Sequence, residues 1–132
     1  MKINPPLLRT IDANINRFKE GIRVVEDILR YEYNSPLAKQ LKNIRHITIP
    51  DYEQFIKYRN SDKDILKPST KSEQTRTSIK DIIVSNLKRA QESARVLEES
   101  FKLYDIIISE KFKDARYKLY SLEKEILELL GT

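Results

Sequence analysis

Two stretches of this chain carry the same polar pattern on a helical background. The first is DANINRFKEGIRVVED (Asp12–Asp27), and the second is VSNLKRAQESARVLEE (Val84–Glu99). A shift of 72 residues places five polar residues of the first stretch on identical residues of the second, namely Asn14, Arg17, Glu20, Arg23 and Glu26 on Asn86, Arg89, Glu92, Arg95 and Glu98. The chain therefore contains a duplicated helical unit.

The segments that follow the two stretches also correspond. LKNIRH (Leu41–His46) lies over FKDARY (Phe112–Tyr117) at a shift of 71 residues. Each unit is then a pair of helices, and two amphipathic pairs close naturally into a bundle. We predict an all-α fold, a four-helix bundle built from two duplicated helical hairpins. It forms a single helical domain over residues 1–132, with repeat 1 at about 8–60, a loop at 61–77 and repeat 2 at about 78–131.

Proline, serine and glycine mark the ends of the predicted helices. Pro5 and Pro6 suit the start of the first helix, and Pro36 suits the first turn of the second. Apolar spacing extends the second helix through Ile47, with Pro50 expected to kink or divide it. Ser78 is a plausible N-cap of the third helix. The fourth helix, EKFKDARYKLYSLEKEILELLG, is expected to begin near Glu110, where a short IIISEK junction (residues 106–111) leads into it, and to end at Gly131.

Composition narrows the function classes. Cysteine is absent and there is one histidine, which excludes disulfides and argues against a zinc site. The net charge is +5, but the basic residues are interleaved with acidic ones. This pattern favours a salt-bridged surface or a site for a small phosphorylated ligand over nucleic-acid binding. No secretory signal or membrane-spanning run is visible, so we expect a cytoplasmic protein without a membrane partner.

A helical wheel separates the polar residues of the duplicated stretch. Asn14, Arg17 and Gly21 are predicted to face inward, whereas Arg23 and Glu26 turn away. The same inward set in the third helix is Asn86, Arg89 and Ser93.

Two interpretations of these inward polar residues are open. In one, Arg and Glu side chains from opposite hairpins pair in an internal network, with Glu20 and Glu92 as the local partners. In the other, an anionic ligand lies between the first and third helices, in room left by Gly21 and Ser93.

Four segments together resemble a known enzyme family. They are IDANINRFKEGIRVVEDILRY, LKNIRH, NLKRAQESARVLEES and ARYKLYSLEK. The chain from about Arg9 to Glu125 resembles the small monofunctional hydroxymethylpyrimidine phosphate kinases of thiamine biosynthesis, in the stand-alone form of a domain that also occurs fused before thiamine phosphate synthase. The resemblance implies ATP-dependent phosphorylation of 4-amino-5-hydroxymethyl-2-methylpyrimidine phosphate to the diphosphate. The chain agrees in lacking a GxxxxGK[ST] phosphate loop.

The resemblance gives the polar residues specific roles. Phosphoryl transfer depends on positioning and charge neutralisation. The predicted phosphate-binding residues are Arg17 and Arg89, joined by Arg45 and Arg116 from the paired helices. Asn14 and Asn86 are expected to bind the pyrimidine edge or a phosphate oxygen. Magnesium accompanies ATP, and Glu20 and Glu92 are its predicted ligands, with Glu26 and Glu98 next in order. For each glutamate, a salt bridge to arginine is the open alternative.

Three further residues are candidates for ligand contacts. His46 follows Arg45 in its motif, although a surface histidine is an equally simple interpretation. Thr75 and Arg76 belong to the predicted loop, which we expect to cover the nucleotide. A catalytic base is not required, because the acceptor is already a phosphate anion.

Two other functions are kept beside the kinase. One is a non-catalytic helical module that associates with thiamine phosphate synthase. The other is a basic nucleic-acid binder, which the interleaved charges disfavour. We also expect a homo-oligomer, since seven tyrosines and mixed charge suit an interface.

Overall fold

Long α-helices form most of this computed structural model, which describes residues 5–50 and 52–131 and all their side chains except those of Pro5 and Ser72. The outer ends of the predicted domain, residues 1–4 and 132, and Asp51 of the first repeat lie outside these described residues. The α-helices, in chain order, are α1 (Pro5–Tyr31), α2 (Leu37–Arg45), α3 (Glu53–Ile56), α4 (Lys71–Gln74), α5 (Ile79–Phe101) and α6 (Ile106–Leu129). The described ranges contain no strand, and the predicted all-α bundle of two hairpins is confirmed.

Side-chain caps begin α5 and α6, and a glycine follows the end of α6. The Ser78 hydroxyl accepts a hydrogen bond of 3.0 Å from the backbone N–H of Asp81, as predicted for an N-cap. Gly131 adopts a φ of +79° just after α6, a conformation that favours glycine. The prediction for the start of α6 was wrong. Asp105 caps this helix by accepting from Ile107 N and Ile108 N, so the predicted junction is already helical.

The second helix is shorter than predicted. α2 ends at Arg45, so the expected helical run through Ile47 was wrong, although the chain is divided before Pro50 as expected. Residues 47–49 are all β-branched, and the residue before a proline is biased away from helical dihedrals. The corresponding part of α6 carries Ser121 in place of Pro50 and continues as one helix to Leu129.

Apolar side chains at three-to-four spacing meet in one core. The fully buried set includes Ile11, Ile15, Phe18, Ile22, Val25, Leu87, Leu97, Leu119 and Ile126. Phe112 of α6 stands edge-on to Phe18 of α1, with ring centroids 5.4 Å apart, and stacks on Phe101 of α5. Phe55 of α3 contacts Phe101 edge-on at 6.0 Å. The two hairpins therefore share one core and interlock through it.

α1 and α5 pack against each other, and a glycine of α1 lies in close contact with α5. A Cβ atom on Gly21 would lie 2.8 Å from the carbonyl oxygen of Asn86 and 3.4 Å from the Ala90 side chain. Gly21 is therefore needed for close packing, because any side chain would push the helices apart.

None of the helices in the part of the chain that the structure describes is both long enough and apolar enough to cross a membrane.

Candidate functional site

A groove of about 800 Å³ runs along the N-terminal half of α1. Its other wall is the segment that follows α3, residues 59–65. The charged and amide side chains that line it are Arg9, Asp12, Asn14, Asn16, Arg17, Glu20, Arg59, Asn60, Lys63 and Asp64. We call this cleft the α1 groove. Its volume is in the range of small-molecule sites.

An ion pair between the buried Asp12 and the exposed Arg59 holds the two walls of the α1 groove together. Asp12 is 1% exposed and accepts two hydrogen bonds of 2.8 Å from Nε and Nη2 of Arg59. The hydrogen bond to Asp12 raises the pKa of Arg59, which is a cation in any case. Arg9 ties the same wall to α1, since its Nη2 donates to the carbonyl oxygen of Asn60 at 2.8 Å.

Positive charge in the α1 groove is left without a partner. Arg17 and Lys63 form no ion pair with any described residue. Asp12 is neutralised by Arg59, which leaves Glu20 and Asp64 as the remaining acidic residues of the lining. Guanidinium and ammonium groups that line one groove without an ion-pair partner suit phosphate oxygens.

The two asparagines occupy equivalent places in the repeats. Nδ2 of Asn14 donates to the carbonyl oxygen of Thr10 at 2.9 Å, and Nδ2 of Asn86 donates to that of Ile82 at 2.8 Å. Each amide is thereby fixed on its own helix, and within residues 5–50 and 52–131 no donor is hydrogen-bonded to its oxygen. Asn14 lines the α1 groove, whereas Asn86 does not.

The predicted inward orientation of Arg17 and Arg89 was wrong. Both side chains are exposed. The reason is the backbone of α5, which fills the space beside Gly21 that was expected to hold a ligand. A guanidinium confined there would be costly to desolvate. Arg17 instead lines the α1 groove, while Arg89 lies outside its lining.

The predicted outward orientation of Glu26 was also wrong, and its counterpart Glu98 has the same environment. Both are buried, at 3% and 5% exposed. Glu26 accepts from Nε and Nη2 of Arg45 at 2.6 and 3.2 Å. Glu98 accepts from Nη2 of Arg116 at 2.9 Å. The arginine–glutamate network therefore exists, but each pair lies within one hairpin and does not join opposite hairpins.

These pairs change what Arg45 and Arg116 can do. The hydrogen bond to Glu26 raises the pKa of Arg45. Hydrogen bonds to Tyr120 and then Glu98 raise the pKa of Arg116, whose guanidinium also lies 4.9 Å from the ring centroid of Tyr117. Each arginine joins the two helices of its own hairpin, and neither lines the α1 groove.

The remaining candidates lie away from the α1 groove. His46 is exposed at the end of α2. Thr75 donates to the carbonyl oxygen of Lys71 at 3.0 Å, and Nη1 of Arg76 donates to that of Thr75 at 2.9 Å. The predicted covering loop, residues 61–77, contains a 3-10 turn at residues 61–63 and the short helix α4.

No cluster of three or more metal-ligating side chains occurs among the described residues. Of the two predicted magnesium ligands, Glu20 lines the α1 groove and forms no ion pair with residues 5–50 or 52–131, whereas Glu92 is exposed on α5. One carboxylate fits a magnesium ion that arrives with nucleotide phosphates, since Mg²⁺ keeps several waters and takes few protein ligands.

A second groove, of about 530 Å³, lies between α2 and α6. It is lined by Gln40, Asn43, Ile44, Tyr117, Lys118, Ser121, Leu122 and Glu125. None of the predicted site residues belongs to this lining. The lining contains one lysine and one glutamate, so this groove lacks the cationic surplus of the α1 groove.

Sequence reasoning missed Arg9, Asp12, Arg59 and Lys63. Three of these lie outside the duplicated stretch and have no motif of their own. Asp12 did carry a signal, because its counterpart at the shift of 72 is Val84. A charged residue at only one of two equivalent positions indicates a task that the other repeat does not share.

Comparison with known proteins places the chain in a family. The profile of the ThiD2 family matches residues 9–125. A thiamine-phosphate synthase of a Synechocystis species is 34% identical over 124 residues, which cover 92% of this chain and 36% of that protein. Thiamine-phosphate synthases of Prochlorococcus marinus subsp. pastoris and of a Nostoc species are 38% and 34% identical, covering 89% and 96% of this chain and 34% and 37% of their own lengths.

The chain thus spans about a third of the length of these curated relatives. No solved structure matches it. Since the family profile extends over most of the chain, from the first buried turns of α1 to the last turns of α6, this protein belongs to the ThiD2 family.

Proposed function

We propose that this chain transfers a phosphoryl group from ATP to 4-amino-5-hydroxymethyl-2-methylpyrimidine phosphate and produces the diphosphate, a step of thiamine biosynthesis. Membership of the ThiD2 family and the names of the relatives support the pathway. The observation that carries the chemistry is the α1 groove, in which Arg17 and Lys63 have no ion-pair partner among the described residues.

The reaction requires little covalent chemistry from the protein. A phosphate oxygen of the pyrimidine monophosphate attacks the γ-phosphorus of ATP, and the bond from that phosphorus to the bridging oxygen of ADP breaks. The attacking oxygen is already anionic, so no general base is needed. The main barrier is the approach of two anions, and positive side chains lower it.

Each charged or polar residue of the α1 groove then has a separate role in this reaction. Arg17 and Lys63 neutralise the phosphates, and Arg59 offers the edge of its guanidinium that Asp12 does not occupy. Asn14, held by Thr10, presents an amide oxygen to an amino group of the pyrimidine. Glu20 would hold magnesium, which would supply charge neutralisation for the phosphates when it is bound with ATP.

A coupled assay of ADP release tests this proposal. We expect turnover with the pyrimidine monophosphate and none with the free pyrimidine alcohol, and we expect the diphosphate as the second product in mass spectrometry. Absence of turnover with the monophosphate, on protein whose helical circular dichroism is intact, would contradict the kinase. ATP binding by calorimetry separates the alternative, a non-catalytic module associated with thiamine phosphate synthase, which would bind no ATP.

A further inference from the structure

The two repeats differ at one buried charged position. Asp12 on α1 is 1% exposed, and its counterpart on α5 is the half-buried Val84. Burial of an ionised carboxylate costs free energy that its partners must compensate. Because a valine serves at the equivalent position of α5, the packing of the repeated unit does not itself require a carboxylate there.

We propose that Asp12 is a positioning residue that holds the guanidinium of Arg59 over the α1 groove, and that Arg59 binds a phosphate of the ligand there. The identity of that ligand rests on the proposed function. Asp12 engages Nε and Nη2 of Arg59, and the Tyr52 hydroxyl lies 3.4 Å from Nη2. Nη1 has no hydrogen-bond partner among the described residues, so one N–H edge of the guanidinium is left to a ligand.

The supporting residues fix this arrangement from a second side. Tyr52 also donates its hydroxyl to Oδ1 of Asn16 at 3.3 Å, which links the side chain beside Arg59 to α1. The Arg59 side chain is 41% exposed and lines the α1 groove, so a ligand in the groove can reach it. A guanidinium held in one orientation loses less conformational freedom when it binds phosphate than a mobile one.

The site is built in the first repeat alone. At the shift of 71, the position of Arg59 corresponds to Leu130, which follows the end of α6. The second repeat therefore lacks both members of the pair, having Val84 and Leu130 instead. The duplicated fold thus carries one phosphate site per chain of this kind, and not two.

Calorimetric titration with pyrophosphate tests this inference on the full chain. In Asp12→Val the first repeat receives the residue of the second, so we expect a folded protein. Without Asp12, Arg59 is no longer held over the α1 groove. Loss of the charge-assisted contact between Arg59 and phosphate should weaken pyrophosphate binding about 10-fold to 100-fold. The wild type should bind one pyrophosphate per chain. Arg23→Gln, which removes an exposed arginine paired with Asp27 on the same helix, is the matched control and should bind like the wild type.

A second variant protects the test against misfolding. Asp12→Val combined with Arg59→Gln removes the pair whole and leaves no unpaired buried carboxylate. It should show the same weakening, with helical circular dichroism unchanged. Wild-type affinity in either folded variant would overturn the inference, as would binding of two pyrophosphates per chain.

Activity measurements separate this inference from the proposed function. If Arg59→Gln phosphorylates the pyrimidine monophosphate with an unchanged kcat/KM, the role of Arg59 is refuted while the kinase stands. If the wild type binds pyrophosphate in an Arg59-dependent manner but forms no diphosphate, the phosphate site stands and the kinase fails. Arg59→Lys adds a further readout, because it keeps the charge but cannot form the paired contact with Asp12. Arg59→Lys should therefore restore less than half of the affinity for pyrophosphate that Arg59→Gln loses.

Discussion

Arg17 and Arg45 carry the same charge in the first repeat, yet only Arg17 is without an ion pair among residues that the structure describes. Arg45 is taken up by the buried Glu26, and the second repeat copies this with Arg116 and Glu98. A single-helix wheel could not reveal these pairs, because it has no information on where α2 and α6 lie. Pairing of arginines with glutamates was one of two open interpretations of the sequence, and it expected pairs between opposite hairpins. The structure shows such pairs within each hairpin instead.

The difference between Arg17 and its counterpart predicts unequal effects on catalysis. Arg17→Gln should lower kcat/KM for the pyrimidine monophosphate about 10-fold to 100-fold, through loss of one charge-assisted phosphate contact. Arg89→Gln should have a clearly smaller effect, because Arg89 does not line the α1 groove. Steady-state kinetics of both variants check this. Equal losses of kcat/KM in the two variants would show that Arg89 also contributes to the site.

The buried pairs predict a large effect on stability. Glu26→Gln leaves Arg45 partly buried without its counter-charge, and we expect a loss of about 3 kcal/mol in the free energy of unfolding. Urea denaturation measures this. The exposed pair of Arg23 and Asp27 is the control, and Arg23→Gln should cost less than about 1 kcal/mol. If both variants lost a similar free energy of unfolding, the buried Glu26 would contribute no more to stability than an exposed ion pair does.

Among the elements, the crossing of α1 and α5 decides where a ligand can lie. The sequence correctly marked Gly21 as a special position, but it was interpreted as leaving room for a ligand. The space is filled by the α5 backbone at Asn86. Small residues on facing helices permit either a cavity or a close approach, and the sequence of one helix does not distinguish them. The ligand space lies instead beside α1, where the chain after α3 returns.

The close approach predicts that a methyl group at residue 21 is harmful. Gly21→Ala places a Cβ 2.8 Å from a backbone oxygen, which cannot rotate away. We expect a loss of about 1–3 kcal/mol through overpacking, despite the better helix propensity of alanine. Thermal unfolding measures it. Ser93→Ala, which removes a hydroxyl and adds no atom at the equivalent position, is the control. A stabilised Gly21→Ala protein would show that the helices separate freely.

The whole molecule depends on contacts between its two repeats. Phe18 of the first repeat packs on Phe112 of the second, and Phe55 packs on Phe101. Periodic apolar residues predicted this shared core well. The end of α2 was harder to predict. A β-branched run and Pro50 end the helix in the first repeat, whereas the corresponding helix of the second repeat continues.

The shared core predicts that neither repeat folds alone. Separate chains of residues 1–66 and 67–132 should show weak helical circular dichroism and no cooperative thermal transition, since each exposes the apolar face that the other covers. Mixing them should restore helix. Cooperative unfolding of either piece by itself would show that the repeats are independent units.

We propose that the α1 groove, and no other part of the bundle, holds the phosphates of the reaction. A crystal structure with a non-hydrolysable ATP analogue and the pyrimidine monophosphate would show where these phosphates bind. We expect phosphate oxygens within hydrogen-bonding distance of the Arg17 and Arg59 guanidinium groups. Phosphates bound between α2 and α6, or beside Arg89 on α5, would contradict the account.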